Sequence, residues 1–275
     1  MSALLPTVRI GGLSVTRLIL GGNPLRGNSH TSPALDREML EWHTVANIKA
    51  VLGAAEAAGI NTLQARGDVL VQACVREHWA GGGALQFIAQ TASELRDLPG
   101  HIAQLASFGA QGIYLHGTWT DRQYFAGNLG EVRDLLARIR DTGAATGLGT
   151  HMPVILDVAE SEEWDLDFYM TGLHNLSAPD RESALERPGA AAVERFVHED
   201  REQMLQAVRR TAKPCLVFKV FGAGRYCATP EETQRVLAAV YGAIKPGDAV
   251  VAGMFNKHHD QVAENAATVR AALAG

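Results

Sequence analysis

Short apolar runs alternate along the chain with stretches where apolar residues recur every three to four positions, and glycines mark many of the boundaries. Residues 8–10 and 13–15 flank Gly11-Gly12, the pattern of a short hairpin. A buried strand follows over 17–20 and stops at Gly21-Gly22. Val45, Ile48, Val51, Leu52 and Ala55 share one helical face, Gly59 ends that helix, and residues 60–64 predict the next strand. Further strands are predicted over 85–90, 112–116, 146–150, 168–173, 215–220 and 248–252. Helical patterns separate them over 69–79, 102–108, 129–140, 154–163 and 191–211. Thr229-Pro230-Glu231-Glu232 joins a cap, a first-turn proline and an acid three residues after the cap, and starts a helix that runs to about residue 243. The last helix covers 260–273. Residues 25–40 and 176–189 carry the Gly, Ser, Pro and polar content of long loops.

Eight strands, each followed by a helix with no break in composition, predict a single (β/α)8 barrel domain over residues 1–275, with a short N-terminal β-hairpin. An open doubly wound sheet would need a glycine-rich turn running straight into a helix after the first strand. Gly21-Gly22-Asn23-Pro24 lacks that spacing.

Composition narrows the setting. The chain has 275 residues, 47% of them hydrophobic, enough to bury a substantial core. A net charge of -5 with scattered Lys and Arg gives no footprint for nucleic acid. No apolar run is long enough to span a membrane, and the first residues lack the pattern of a signal peptide. Cys74, Cys215 and Cys227 form no CxxC motif, so free thiols in a reducing, cytoplasmic setting are expected. The expected partner is a small molecule, and the sequence leaves the oligomeric state open.

Two segments, VRIGGLSVTRLILGGNP at 8–24 and GDAVVAGMFNKHHDQVAENAATVRAAL at 247–273, together with Gly59-Ile60-Asn61-Thr62, resemble the aldo-keto reductases. The resemblance implies a barrel with a hairpin at its base and a nicotinamide cofactor at its mouth. Much of the family's catalytic set has no counterpart here. Gln64 stands where the acid after the second strand belongs, and residues 66–69 hold no tyrosine. Thr91 stands for the lysine, and only His116 matches. Thr150-His151 replaces the pair that would hold the carboxamide, and Lys219 stands where an aromatic would stack on nicotinamide. Glu264-Asn265 keeps the letters that in the family contact adenine. Without the tyrosine and its lysine, the family's way of protonating a carbonyl is lost.

Barrel enzymes carry reactive groups at the carboxyl ends of their strands. His116, His151 and His174 follow consecutive strands and are expected to bind a divalent metal (Zn, Mn, Fe, Co or Ni) or to form an acid–base cluster. Lys219, within the predicted seventh strand, is a candidate Schiff-base nucleophile or base, with His116, Asp68 and His30 as further catalytic candidates. Asn23, Gln64, Arg66, Gln90, Asn175, Arg225 and Lys257 form the expected ring of substrate-binding groups. Gly222-Ala223-Gly224-Arg225 and Asn256-Lys257 read as an anion cradle or as ordinary tight turns. The expected function is a non-redox enzyme of lyase, isomerase or aldolase type, acting on a small polar, sugar-like or phosphorylated compound. The alternative is an NADP-dependent oxidoreductase with an altered catalytic set.

Overall fold

The computed structural model describes residues 2–178 and 194–274. Strands β1 (Thr7–Ile10) and β2 (Leu13–Thr16) pair antiparallel, with Ile10 opposite Leu13. Gly11 makes their turn at φ 54, a conformation that glycine adopts without a Cβ clash. Eight parallel strands follow: β3 (Leu18–Gly21), β4 (Thr62–Arg66), β5 (Gln86–Gln90), β6 (Gly112–Leu115), β7 (Ala145–Thr150), β8 (Phe168–Gly172), β9 (Cys215–Phe218) and β10 (Ala249–Gly253). They pair in sequence order, and β10 closes on β3, so the (β/α)8 barrel and its hairpin form as expected.

Two-residue alternation divides the strand side chains between two cores. Ile19, Ile88, Tyr114, Phe168, Met170, Leu216 and Val251 fill the barrel interior, where Val8, Ile10 and Val15 of the hairpin pack against the same cluster. Leu18, Leu63, Phe87, Ile113, Leu148, Tyr169 and Val250 face outward into the second core, beneath the helices.

The helices are α1 (Pro33–Trp42), α2 (Val45–Ala57), α3 (Val69–Ala80), α4 (Leu98–Phe108), α5 (Gly117–Phe125), α6 (Leu129–Asp141), α7 (Pro153–Ser161), α8 (His198–Arg210), α9 (Pro230–Ala243) and α10 (Gln261–Ala272). Two of them correct the sequence reading. The expected loop over 25–40 contains a 3-10 turn at Pro24–Arg26 and then α1. Its Ser32-Pro33 pair is a helix start: Ser32 Oγ accepts from Leu35 N, and Pro33 takes a first-turn position where no N–H is needed. The segment after β6, where the sequence pattern assigned no helix, is α5, and it carries Asp121 into the barrel wall. The helix expected over 191–211 begins at His198. Its first three residues, and most of the loop expected over 176–189, lie outside the described residues.

Candidate active site

A cavity of about 430 Å³ opens at the carboxyl ends of the strands. Its floor holds Tyr114, Met170, Phe218 and Val251. Above them stand Gln64 from the middle of β4, Arg66, Gln90, His116, His151 and Lys219 at or just past strand ends, and Asn23 and His30 on the loop after β3. These eight expected residues therefore share one chamber.

The floor is built around a phenol. Gln64 Nε2 donates to Tyr114 Oη at 2.7 Å, and Gln90 Nε2 donates to it at 2.8 Å. Burial pushes the Tyr114 pKa well above its ordinary value, so this group stays protonated. The two amides are thereby fixed in orientation as well as position. Tyr114 is half of an inward-facing strand pair with Gly112, a signal that the sequence contained but that reads equally as core packing.

His151 lies on β7's exit and is held from below. Its Nδ1 lies 2.8 Å from Asp121 Oδ2, while Asp121 Oδ1 accepts from Thr150 Oγ1 at 2.5 Å. The backbone N–H of His151 also points at this carboxylate, 3.2 Å from Oδ2. Asp121 is fully buried, so the pair is a carboxylate–imidazole unit whose Nδ1 carries the proton toward Asp121, which leaves Nε2 as the basic nitrogen. Ser177 Oγ lies 3.4 Å from the same Nδ1. His151 was expected at the mouth from its place at a strand end; α5 is what brings Asp121 to it.

A second such unit sits on the other side. His30 Nδ1 lies 2.9 Å from Glu194 Oε2 and 3.2 Å from Oε1, and its Nε2 is 3.5 Å from Asn23 Nδ2. His30 takes φ 56, uncommon for a non-glycine residue. Thr31 Oγ1 donates to Ala223 O at 2.9 Å, and Arg225 donates to His30 O at 3.2 Å, tying this loop to the one after β9. Glu194 was not foreseen, because it lies between two elements with no local signature.

Lys219 was expected inside a strand. It lies one residue beyond β9, at φ 61, and its Nζ is 4.9 Å from the centroid of the Phe218 ring. No carboxylate among the described residues lies within ion-pair distance of it. Burial outweighs the attraction of Glu194 and Asp121 and pushes its pKa down to about 8. His116 follows β6 and caps α5 with its backbone rather than its side chain. Burial, then the charges of His151, Lys219, Arg66 and Arg122, push its pKa down to about 3, and its buried Nδ1 has no hydrogen-bond partner among the described residues. His116 is therefore a neutral imidazole at physiological pH.

Five expected residues do not line the cavity. Asp68 caps α3, accepting from Val71 N at 3.1 Å, and pairs with Arg26 at 2.8 Å, so its charge is committed to structure. Arg225 donates to Gly222 O and His30 O and lies over the Phe196 ring, which makes it a clamp between loops. Lys257 pairs with Glu38 at 2.8 Å, outside the chamber. Asn175 Oδ1 accepts from Ser177 N within its own turn. His174 is fully buried, donates from Nδ1 to Val197 O at 3.1 Å and packs on Phe196. The structure thus brings His116 and His151 to the chamber without His174. Among the described residues no group of three His, Cys, Asp or Glu side chains is placed to hold a metal ion. Consecutive strand ends are neighbours, but the His174 ring packs on Phe196 and bonds Val197 O instead of facing the chamber.

The chamber also extends outward past Phe255 to His258, His259, Gln261, Glu264 and Asn265 at the start of α10. His258 and His259 form part of this outer wall.

No protein-family model and no curated protein matches the sequence. Among solved structures the chain is similar to the apo form of Gox0644, at 13% identity over 98% of this chain and 93% of that one, with a TM-score of 0.53. It is similar to a glycerol dehydrogenase from Gluconobacter oxydans, an aldo-keto reductase, at 12% identity over 94% and 89% of the two chains, with a TM-score of 0.52. It is also similar to a truncated 3-deoxy-D-arabino-heptulosonate 7-phosphate synthase from Thermotoga maritima, at 8% identity over 98% and 90%, with a TM-score of 0.54. At such identities the likeness is one of fold: this chain is a (β/α)8 barrel whose solved neighbours include an aldo-keto reductase.

Proposed function

We propose that the chain is a non-redox enzyme of lyase, isomerase or aldolase type that moves protons on a small polar carbonyl compound. The observation that carries this reading is Lys219: a half-buried amine, free of a carboxylate partner among the described residues, faces the same chamber as the Asp121–His151 unit. With its pKa near 8, a substantial fraction of Lys219 is neutral and nucleophilic at pH 7 to 8. Its Nζ adds to the substrate carbonyl, water leaves, and a protonated iminium forms. His151 Nε2 then takes a proton from the neighbouring carbon, and the electron pair of that C–H bond moves into the iminium to give an enamine. Asp121 stabilises the imidazolium that results. His116, being neutral, offers a hydrogen bond to the substrate without adding charge. Gln64, Gln90, Arg66 and Asn23 supply donors and acceptors suited to hydroxyl groups. This reading routes no step through a divalent metal: among the described residues no three His, Cys, Asp or Glu side chains stand together to hold one.

The test is borohydride trapping. Wild type incubated with glyceraldehyde, dihydroxyacetone or pyruvate and then reduced gains one adduct mapping to Lys219, and Lys219→Met gains none there. Failure of all three to label Lys219 in the folded wild type rules out the iminium route.

One observation favours a second reading, the NADP-dependent oxidoreductase. The outer arm of the chamber, with Glu264 and Asn265 on its wall, is longer than a small carbonyl compound needs, and Phe218 offers a ring face near Lys219. Those residues fit the outer part of a dinucleotide, which would supply hydride; Gln64 and Thr91 do not fit the family's proton donation. Quenching of protein fluorescence by NADPH at micromolar concentration distinguishes this reading from the first.

A further inference from the structure

We propose that the site is a two-base centre, in which the His151–Asp121 and His30–Glu194 units act on opposite faces of one stereogenic carbon, so that the enzyme inverts the configuration of small 2-hydroxy-carbonyl compounds. This rests on the proton-transfer reading above and narrows it from lyase, isomerase or aldolase to epimerisation.

Topology carries the inference. His151 follows β7 and His30 lies in the loop after β3. In the closed order β10-β3-β4-β5-β6-β7-β8-β9 these two strands stand four apart among eight, on opposite sides of the barrel, and the His30 loop is tied to the loops after β8 and β9 through Glu194 and Ala223. Both imidazoles line the one chamber. Each has a carboxylate at its Nδ1, 2.8 Å away for His151 and 2.9 Å for His30. Both carboxylates are buried, and their bonding fixes the same tautomer on each ring, with Nε2 as the working atom. A single base needs one such unit. A second imidazole–carboxylate unit lining the same space has a chemical use when a proton must leave from one side and return from the other; its Nε2 also lies 3.5 Å from Asn23 Nδ2, and burial with the charge of Lys219 lowers the His30 pKa. Lys219, after β9, lies on the arc between them and can hold the carbonyl carbon while the neighbouring carbon is exposed to both.

The step balances without any further reactant. Nε2 of one histidine removes the C–H proton, and the electron pair enters the iminium or carbonyl. The imidazolium on the other side gives its Nε2 proton to the opposite face, and the pair returns to form the new C–H bond. The two histidines exchange states, and solvent resets them. Asp121 and Glu194 are positioning residues, since they act through the rings.

The experiment follows deuterium in D2O by proton NMR, with D- and L-glyceraldehyde as separate probes and wild type, His151→Asn and His30→Asn as full-length proteins. Wild type is expected to exchange the α-proton of both enantiomers. His151→Asn is expected to lose exchange of one enantiomer by at least about 100-fold while keeping that of the other, and His30→Asn the reverse. Glu194→Gln and Asp121→Asn, which keep the side-chain shapes, should repeat the same enantiomer split if an asparagine variant fails to fold. Parallel loss of both enantiomers in the His30 and Glu194 variants, or no effect in them, overturns the two-base assignment, since His30 is then a loop latch. Labelling of Lys219 by borohydride without α-proton exchange also overturns it and leaves the iminium reading standing. Absence of both labelling and exchange removes that reading and this one together.

Discussion

Asp121 Oδ2 and His151 Nδ1 lie 2.8 Å apart, and the carboxylate is fully buried between the N-terminal half of α5 and the end of β7. A buried carboxylate is tolerated only when its lone pairs are met, and here Thr150 Oγ1 and the His151 backbone N–H take the rest. Asp121→Asn keeps the shape and removes the charge. It is expected to reduce the chemical step by about 100-fold or more, through loss of the imidazolium's partner. Because the network bonds to a charged group, the variant should also lose about 2 kcal/mol of stability. Urea unfolding and turnover measured on the same preparation separate the two effects; full activity in a destabilised protein would show that Asp121 only holds α5 in place.

Lys219 should make the protein less stable at neutral pH than it is in mild alkali. In the unfolded chain the amine keeps its proton to 10.5, whereas in the folded chain it loses it near 8. Between those values the unfolded state binds more protons, so stability rises with pH across that window. Below pH 8 the enclosed ammonium opposes folding by about 3 kcal/mol. Lys219→Met is therefore expected to be more stable than wild type at pH 7, with the gain fading between pH 8 and 10.5. Urea midpoints at intervals across this range provide the check, and a gain that grows with pH would contradict it.

The same residue strains the backbone. Lys219 takes φ 61, where a Cβ is disfavoured, so Lys219→Gly should be more stable than Lys219→Ala by about 1 kcal/mol. Equal denaturant midpoints for the two would mean that the loop relaxes elsewhere.

His116 should not titrate in the neutral range. Its folded pKa of about 3 lies below the ordinary 6.5, so the unfolded state binds the extra proton first as pH falls. Stability is accordingly lost on acidification from 6.5 toward 3. The groups that face it, His151, Lys219, Arg66 and Arg122, all add positive charge and deepen the effect. Proton–carbon NMR of the imidazoles should show His116 unchanged from pH 5 to 8, and His116→Gln should flatten the acid limb of the stability profile.

Gly172 tests how tightly His151 is seated. A Cβ at this position would come within 2.5 Å of His151 Cδ2 and 3.0 Å of Phe218 Cζ. Gly172→Ala must push the ring off its place, since β8 is locked in register with β7 on one side and β9 on the other. The expected result is a folded barrel with turnover lowered at least about 10-fold and substrate affinity less affected, because misplaced catalytic groups lose rate first. An unchanged turnover number would mean that His151 has room to move without consequence.

How much of this was legible beforehand depended on the range of the forces involved. The hairpin, the eight strands and the closing helix follow from local alternation, glycine stops and caps such as Thr229-Pro230, all of which act within a few residues. Even Ser32-Pro33 was readable as a cap, although the loop-like letters around it hid α1. Strand-end position was enough to place Asn23, Gln64, Arg66, Gln90, His116, His151 and Lys219 at the mouth. It was not enough for Asp68, which a neighbouring Arg26 claims, or for His174 and Arg225, whose surroundings are Val197, Phe196 and the loop after β3.

The sequence by itself determined the barrel, its base and the ring of residues at the strand ends, because periodicity and turn chemistry are written in adjacent positions. Only the tertiary structure decided which ionisable groups meet. Asp121 is 30 positions from His151, and Glu194 is 164 from His30. Such pairings arise when barrel closure brings distant loops together, and burial then fixes which proton each ring holds. No local pattern encodes that choice, since the same letters would read identically if either loop turned the other way.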